Sequence, residues 1–311
     1  MNEADENWLI AHFGPHVLFD EPMWRHTTFR IGGPVDALIT VKTEQEIRDV
    51  VIWARDRGYP ITIIGAGSNL LVRDEGMRGL VLKLADDFEA IHLVPQANDN
   101  SAMITAGAAV LVRRLGKYAL DRGLGGLNFT LGIPGTVGGA LRMNAGAWGA
   151  CMADRTSSIR VLGRYGDVVS MSRGQLRFSY RGLDLEKGTI ILSGQFKLQY
   201  VDREALRKEA VHMQKRRRSS QPLFFPSAGS VFRNPPGQKA AGELIDQAGL
   251  KGRRVGEAEV STKHANFIVN KGHAKASDVL DLIRQIQETV FERFGIHLEP
   301  EVTILGEEAG S

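Results

Sequence analysis

The chain has 311 residues, 43% of them hydrophobic and 24% charged, with a formal net charge of +3; it can bury a core, and its length suggests two domains. No uninterrupted apolar run is long enough to span a bilayer, and the acidic start "MNEADENWLI" lacks the basic and apolar regions of a secretory signal, so a cytoplasmic protein without membrane insertion is expected. The single cysteine, Cys151, excludes an intrachain disulfide and any multi-cysteine metal site, and no metal is expected.

In chain order, "DALITV" (36–41) reads as a strand. The following "KTEQEIRDVVIWARDRGYP" reads as a helix: Thr43 and Glu46 form a capping box, Ile47, Val50, Val51 and Ala54 share a face, and Gly58 supplies the stop. Strands are expected over 61–65 and 79–84, then a second strand-then-helix unit at "AMITAGAAV" and "LVRRLGKYALDRGLGG". "SIRVLGRYGDVVSMS" alternates around a Tyr-Gly turn like a hairpin, and "GTIILSGQFKLQ" extends the sheet. A charged helix over 202–218 leads out of this region. Beyond it, "GQKAAGELIDQAGL" is a helix with Leu244, Ile245 and Ala248 on one face, and "ANFIVN" is a strand. "ASDVLDLIRQIQETVFERFG" is the best-patterned helix: Ser277 is its expected cap, Leu280, Ile283, Ile286, Val290 and Phe294 its apolar face, and Gly295 its end. The pattern sets a domain boundary at 202/203, with α+β character on both sides.

Two glycine-rich loops stand out. "IIGAGSNLLVRD" follows a strand, but Leu70 stands where a dinucleotide fingerprint needs its third glycine, and no Gly-Lys-Ser/Thr is present. Its small residues still let backbone N–H groups approach a diphosphate. A tight strand-to-strand turn is the bland alternative. The second loop, "LGIPGTVGGALRMNAGAWG" (131–149), holds six glycines. So open a backbone suits a large flat ligand, and the two loops together suit FAD in a fold other than the Rossmann fold. The cluster Lys215, Arg216, Arg217 and Arg218 is the one dense basic run, and with only 7% aromatics no nucleic-acid partner is expected.

"FPSAGSVFRNP" displays Ser230 among small residues, with no histidine in the thirty residues downstream. A hydrolase would need a relay such as His264 and Asp246, yet there is no Gly-x-Ser-x-Gly elbow. Taken alone, Arg181 reads as a surface arginine and Glu301 as an idle tail residue.

"GAGSNLLVRD", "GIPGTVGGALRMNAGAWG", "FSYR", "SAGSVFRNP", "STKHANFIVN" and "LEPEV" resemble, in order, the UDP-N-acetylenolpyruvoylglucosamine reductase family over about 30–304. The resemblance implies an α+β fold: an FAD-binding domain of the vanillyl-alcohol-oxidase (PCMH) type with two α+β subdomains (21–202), and a C-terminal α+β substrate domain (203–311) whose last segment returns to the active site. It implies non-covalent FAD, NADPH as hydride donor, and UDP-N-acetylglucosamine enolpyruvate as substrate; a monomer is expected. The first loop (Gly65, Ala66, Gly67, Ser68, Asn69, Leu70) would hold the pyrophosphate. The second (Gly132, Pro134, Gly135, Thr136, Gly138, Gly139, Asn144, Ala145, Gly146) would lie along the flavin. The catalytic positions carry over onto Arg181, Ser230 and Glu301, and Asn234 and Lys263 are expected on the substrate nucleotide. The basic run stays open between a solvated helix end and a diphosphate contact. Tyr200 is the one tyrosine between the arginine and serine motifs, so the chain resembles the shorter subclass without a tyrosine-bearing insertion. Thr303 stands where many relatives have an arginine, which bears on a supplementary substrate contact.

That reaction explains a serine without a base. Hydride addition to an enol ether of pyruvate builds negative charge at the α-carbon and its carboxylate. Arg181 would stabilise it with a planar, permanently charged fork. Ser230 would donate the proton, and Glu301 would hydrogen-bond the carboxylate region, its own pKa raised by a neighbouring carboxylate. The remaining alternative is another FAD oxidoreductase of this fold with a different substrate.

Overall fold

The computed structural model describes residues 1–96 and 100–307. Its seven α-helices are α1 (Glu3–Phe13), α2 (Glu44–Arg57), α3 (Val112–Asp121), α4 (Val137–Arg142), α5 (Arg203–Ser220), α6 (Ala241–Gln247) and α7 (Ala276–Phe294). Contacts divide the chain into two units built from interleaved segments. Unit 1 is Met1–Leu18, Ala37–Gly65 and Gly79–Arg217; unit 2 is Phe19–Asp36, Ala66–Arg78 and Arg218–Ser311. This is a different division from a single cut at 202/203, because contact follows strand pairing between segments far apart in sequence.

In unit 1, Ile61–Ile64 pairs in parallel with Met77–Leu84, each residue stepping in register from Ile61↔Leu80 to Ile64↔Lys83. The α2 helix that precedes them is closed as its sequence dictates. Thr43 accepts from the Glu46 amide, Glu46 reaches back to the cap, and Gly58 ends it in the left-handed region at φ 75°. α1 was not legible as an element; Trp8 stacks on Trp53 of α2 at 4.6 Å, and its buried Asp5 accepts from Arg57 and Tyr59 at 2.8 and 2.7 Å. A larger antiparallel sheet runs Val168–Ser172, Thr156–Leu162, Ile190–Tyr200, Ser101–Gly107, Ile91–Pro95. The expected hairpin is there, with Leu162 opposite Val168. α3 and α4 bury Leu115, Ala119 and Leu141 in one core with Ile104, Phe196 and Leu198 of this sheet.

In unit 2, an antiparallel sheet of Arg254–Val255, Ala258–Val260 and Ile268–Asn270 carries α6 and α7 against a core that includes Val260, Ile268, Leu244 and Ile286. The burying face of α7 is Val279, Leu282, Ile283, Ile286 and Val290. Leu280 is only partly buried and Phe294 is 37% exposed, so the stripe is rotated from the expected one. Nor does Ser277 cap the helix. Its amide and that of Ala276 donate to the Asp74 carboxylate at 2.9 and 2.7 Å. An acid from a segment two hundred residues earlier closes the helix, and charge at a helix N-terminus is favourable.

That trans cap generates a prediction. Asp74→Ala leaves two helix amides without their acceptor and should cost about 1–2 kcal/mol. Urea denaturation followed by circular dichroism measures it; a midpoint equal to that of the parent chain would show that α7 needs no such cap.

Candidate active site

In unit 1, Arg181 lies on the turn between Arg177–Ser179 and Gly182–Asp184, where Ser179 faces Gly182. Two residues, Tyr180 and Arg181, make the turn, and Arg181 has φ 59°. Glycine is the ordinary occupant of such a position, because a Cβ is strained there. Strain of this kind persists where a side chain has a task. The Arg181 Nη1 donates to the Gly146 carbonyl at 3.3 Å, which ties the arginine to the second glycine-rich loop. Asn144, also buried and left-handed at φ 40°, reinforces that link. Its Nδ2 donates to the Ser179 carbonyl at 2.8 Å, and its Oδ1 accepts from the Ala153 amide at 3.0 Å.

Between them, loop 131–149 folds into α4 and a short hairpin. Ala147 faces Ala150, so Trp148 and Gly149 form the turn, both with positive φ (58° and 82°), as a type I′ turn requires. Some of the glycines thus answer to the chain's own geometry. Others leave bare backbone: a Cβ on Gly139 would meet only the Thr136 hydroxyl within 4 Å, at 3.7 Å. A Cβ on Gly65, at the end of the Ile61–Ile64 strand, would overlap that same hydroxyl. The structure therefore brings Gly65 of the first loop against Thr136 of the second. Open glycine backbone beside a threonine hydroxyl fits a large planar cofactor with a diphosphate.

The rest of the first loop belongs to unit 2, and its groups hold other backbone in place. The Gly67 carbonyl accepts from the Thr28 amide at 3.1 Å. A Cβ on Gly67 would overlap the His26 carbonyl, and its φ is 63°, so no other residue fits. The Asn69 carbonyl accepts from Thr303 at 2.9 Å, while its Nδ2 donates to the Glu301 carbonyl at 3.0 Å. Leu70 opens the strand Leu70–Val72, paired in parallel with Thr303–Leu305.

Ser230 and Glu301 are neighbours in unit 2. The Glu301 amide donates to the Val231 carbonyl at 2.7 Å, and Phe232 bridges to Pro300. The serine segment is fixed from its other side by the buried Asn266. Its carbonyl accepts from Val231 at 2.8 Å; its side chain accepts from the Phe232 amide at 2.9 Å and donates to the Phe232 carbonyl at 2.8 Å. Both candidates are half-buried, and these links hold their segments through main chain. A hydrolytic relay does not form. Asp246 is taken by Lys251 at 2.5 Å, and the buried Nδ1 of His264 has no hydrogen bond. Burial, with a smaller push from Lys251, lowers the His264 pKa.

Of the two nucleotide candidates, Asn234 has its Oδ1 committed to the Ala241 amide at the start of α6, at 3.0 Å. Lys263 donates to the Arg218 carbonyl at 2.6 Å and lines a cleft of about 380 Å³ with Arg218, Gln221, Phe224, Phe225 and Lys271. Lys263 and Arg218 were both singled out from sequence, but Phe224, Phe225 and Lys271 were not, since the cleft's residues come from separate segments. Among the described residues no cluster of His, Cys, Asp or Glu is arranged to hold a metal, and no helix is long and apolar enough to cross a membrane.

Comparison with known proteins matches residues 221–305 to the family described as "UDP-N-acetylenolpyruvoylglucosamine reductase, C-terminal domain" and residues 35–172 to "FAD binding domain". A relative from Symbiobacterium thermophilum, UDP-N-acetylenolpyruvoylglucosamine reductase 2, is 47% identical over 92% of this chain and 91% of its own. The reductase of Agathobacter rectalis is 44% identical, covering 94% of both. The crystal structure of the Thermus caldophilus enzyme superposes with a TM-score of 0.78 at 36% identity, covering 93% of this chain and 98% of that one.

The turn at Arg181 can be tested through its strain. Arg181→Gly should stabilise the fold by about 1 kcal/mol, the lower end of what a left-handed non-glycine residue costs, while turnover collapses. Thermal melts beside an activity assay give both numbers; a destabilised variant would mean that the arginine is there to hold the hairpin.

Proposed function

The chain belongs to the UDP-N-acetylenolpyruvoylglucosamine reductase family, and on that premise we propose how its residues divide the reaction. It is an FAD-dependent oxidoreductase that uses NADPH to reduce the enolpyruvyl ether of UDP-N-acetylglucosamine to UDP-N-acetylmuramate, a peptidoglycan precursor. FAD held by the two glycine-rich loops would supply the hydride chemistry between NADPH and the substrate; the remaining tasks fall to the chain. We assign FAD binding to the two loops, on Gly65, Ala66, Gly67, Ser68, Asn69 and Leu70 and on Gly132, Pro134, Gly135, Thr136, Gly138, Gly139, Asn144, Ala145 and Gly146. Within these, Asn69 and Asn144 position backbone, and Gly139 offers the open face.

Arg181 stabilises the negative charge that spreads from the substrate's α-carbon into its carboxylate. A guanidinium cannot be deprotonated by that charge, and its fork matches a carboxylate. Ser230 donates the proton to the α-carbon. An enolate is basic enough to take a proton from a neutral hydroxyl, so no histidine is required. Glu301 hydrogen-bonds the same region. The observation that carries this reading is the hydrogen bond from the Glu301 amide to the Val231 carbonyl, 2.7 Å, which seats the glutamate beside the serine with neither side chain spent on the link. The cleft beside Lys263 is assigned to the substrate's nucleotide: Lys263, Lys271 and Arg218 suit a diphosphate, and Phe224 and Phe225 suit a base. Asn234, expected on the nucleotide as well, keeps its amide nitrogen for that contact while its Oδ1 accepts from Ala241. A monomer working in the cytoplasm is the state we propose, because NADPH and the nucleotide substrate are charged and do not cross a bilayer unaided.

Two experiments test this. Ser230→Ala should leave bleaching of the flavin by NADPH near the parent rate, since that step moves no proton to the α-carbon. Reoxidation by the enolpyruvyl nucleotide should slow by about 10²–10⁴-fold, roughly 3–5 kcal/mol of barrier. Stopped-flow absorbance separates the halves, and equal slowing of both would remove Ser230 from the donor role. Acid precipitation should release all flavin into the supernatant, as expected for a cofactor held by backbone; colour retained in the pellet would mean a covalent tether.

A further inference from the structure

The charge run at the end of α5 is not uniform. Lys215, Arg216 and Arg218 are exposed, as suits cations near a helix C-terminus. Arg217 is half-buried, and its stem lies on Gly132. A Cβ on that glycine would stand 2.5 Å from the arginine's Cδ and 3.1 Å from its Nε and Nη1. The next arginine reaches the far end of the same loop: the Arg216 guanidinium sits over the Trp148 ring, 4.8 Å from its centroid. Two cations thus back the second glycine-rich loop, at residues 132 and 148.

No acid answers Arg217 among the described residues. Burial alone acts on its proton, and it pushes the pKa below the usual arginine value. Two acids that approach nearby chain are spent elsewhere: Glu209 accepts from Asn128 at 2.6 Å, and Asp154 from the Cys151 amide at 2.8 Å. A desolvated cation without a counter-charge is unfavourable. Stabilising the helix end does not explain it, since an exposed arginine would serve there equally well.

We propose that Arg217 is the counter-charge for the negative charge that FAD gains on reduction, and that it raises the cofactor's reduction potential. This rests on the FAD reading of the loop given above. Hydride transfer from NADPH delivers two electrons and one proton and leaves NADP⁺, so the flavin ring gains one negative charge unless a second proton follows. The pyrophosphate, by contrast, carries its charge in both redox states and is open to exposed cations. A guanidinium set against the loop backbone, partly shielded from water, acts through a lower dielectric and discriminates between the redox states.

The test uses the purified holoenzyme. Arg217→Met keeps the apolar stem on Gly132 and removes the charge. The midpoint potential, measured by equilibration with a reference dye, should fall by at least about 30 mV, the equivalent of a tenfold loss of reduced relative to oxidised FAD binding in a two-electron couple. Affinity for oxidised FAD, from fluorescence titration, should stay near that of the parent. Arg217→Lys should keep most of the potential, and Arg207→Met, exposed on the same helix, should not move it. Gly132→Ala, which displaces the arginine, should shift the potential in the same direction, and the apo form of Arg217→Met should melt no lower than the parent. An unchanged potential with weakened binding of oxidised FAD would overturn the proposal in favour of a pyrophosphate clamp. No change in either would make Arg217 a helix-end cation. A parent protein that binds no FAD would instead defeat the functional reading itself.

Discussion

The parallel pairing of Leu70–Val72 with Thr303–Leu305 is the constraint on which the chemistry of unit 2 depends. It brings Asn69 to Glu301 across 232 residues of sequence, and Glu301 in turn takes the Val231 carbonyl beside Ser230. Every one of these links uses main-chain groups or the Asn69 amide. These links locate the Ser230 and Glu301 segments through main chain. Backbone hydrogen bonds, each worth about 0.5–1.5 kcal/mol, take the positioning task here.

Unit 1 solves the equivalent problem for Arg181 differently. The arginine occupies a left-handed turn position, and the turn is braced through Asn144 to Ser179 and through Gly146 to the guanidinium itself. The asparagine tolerates its own positive φ better than most residues do. Two adjoining segments therefore share the strain, and the second glycine-rich loop is the one that steadies the arginine.

What could be read from sequence alone was what is local. The capping box of α2 and its Gly58 stop are formed within a few residues, so Thr43, Glu46 and Gly58 announced them. The ordered motifs announced the family, while the roles given to Arg181, Ser230 and Glu301 remain the proposal made above. Non-local partners were not legible. The acid that takes the first amides of α7 is Asp74, two hundred residues earlier, so Ser277 looked like the cap. Nor was it legible that the Asn234 oxygen accepts from the Ala241 amide at the start of α6. The glycines of the second loop looked alike in sequence, but a hairpin turn, a neighbouring arginine and an open face each require glycine for a separate reason. A pattern of residue types records that a side chain is missing without recording what fills the space.

The interleaving of the units also fixes an order of events during synthesis. The strand Leu70–Val72 and the segment around Phe29 emerge from the ribosome early, yet the groups that complete them, Thr303–Leu305 and Asn270, come near the end of the chain. Until then the strand presents unpaired amides and carbonyls, and Leu71, later fully buried, has no core to enter. Long-range pairing of this kind slows folding, and an unpaired strand edge invites association with other chains. The nascent protein thus passes through a long interval in which its glycine-rich first loop is already made but unanchored, and chaperone demand should be greatest there.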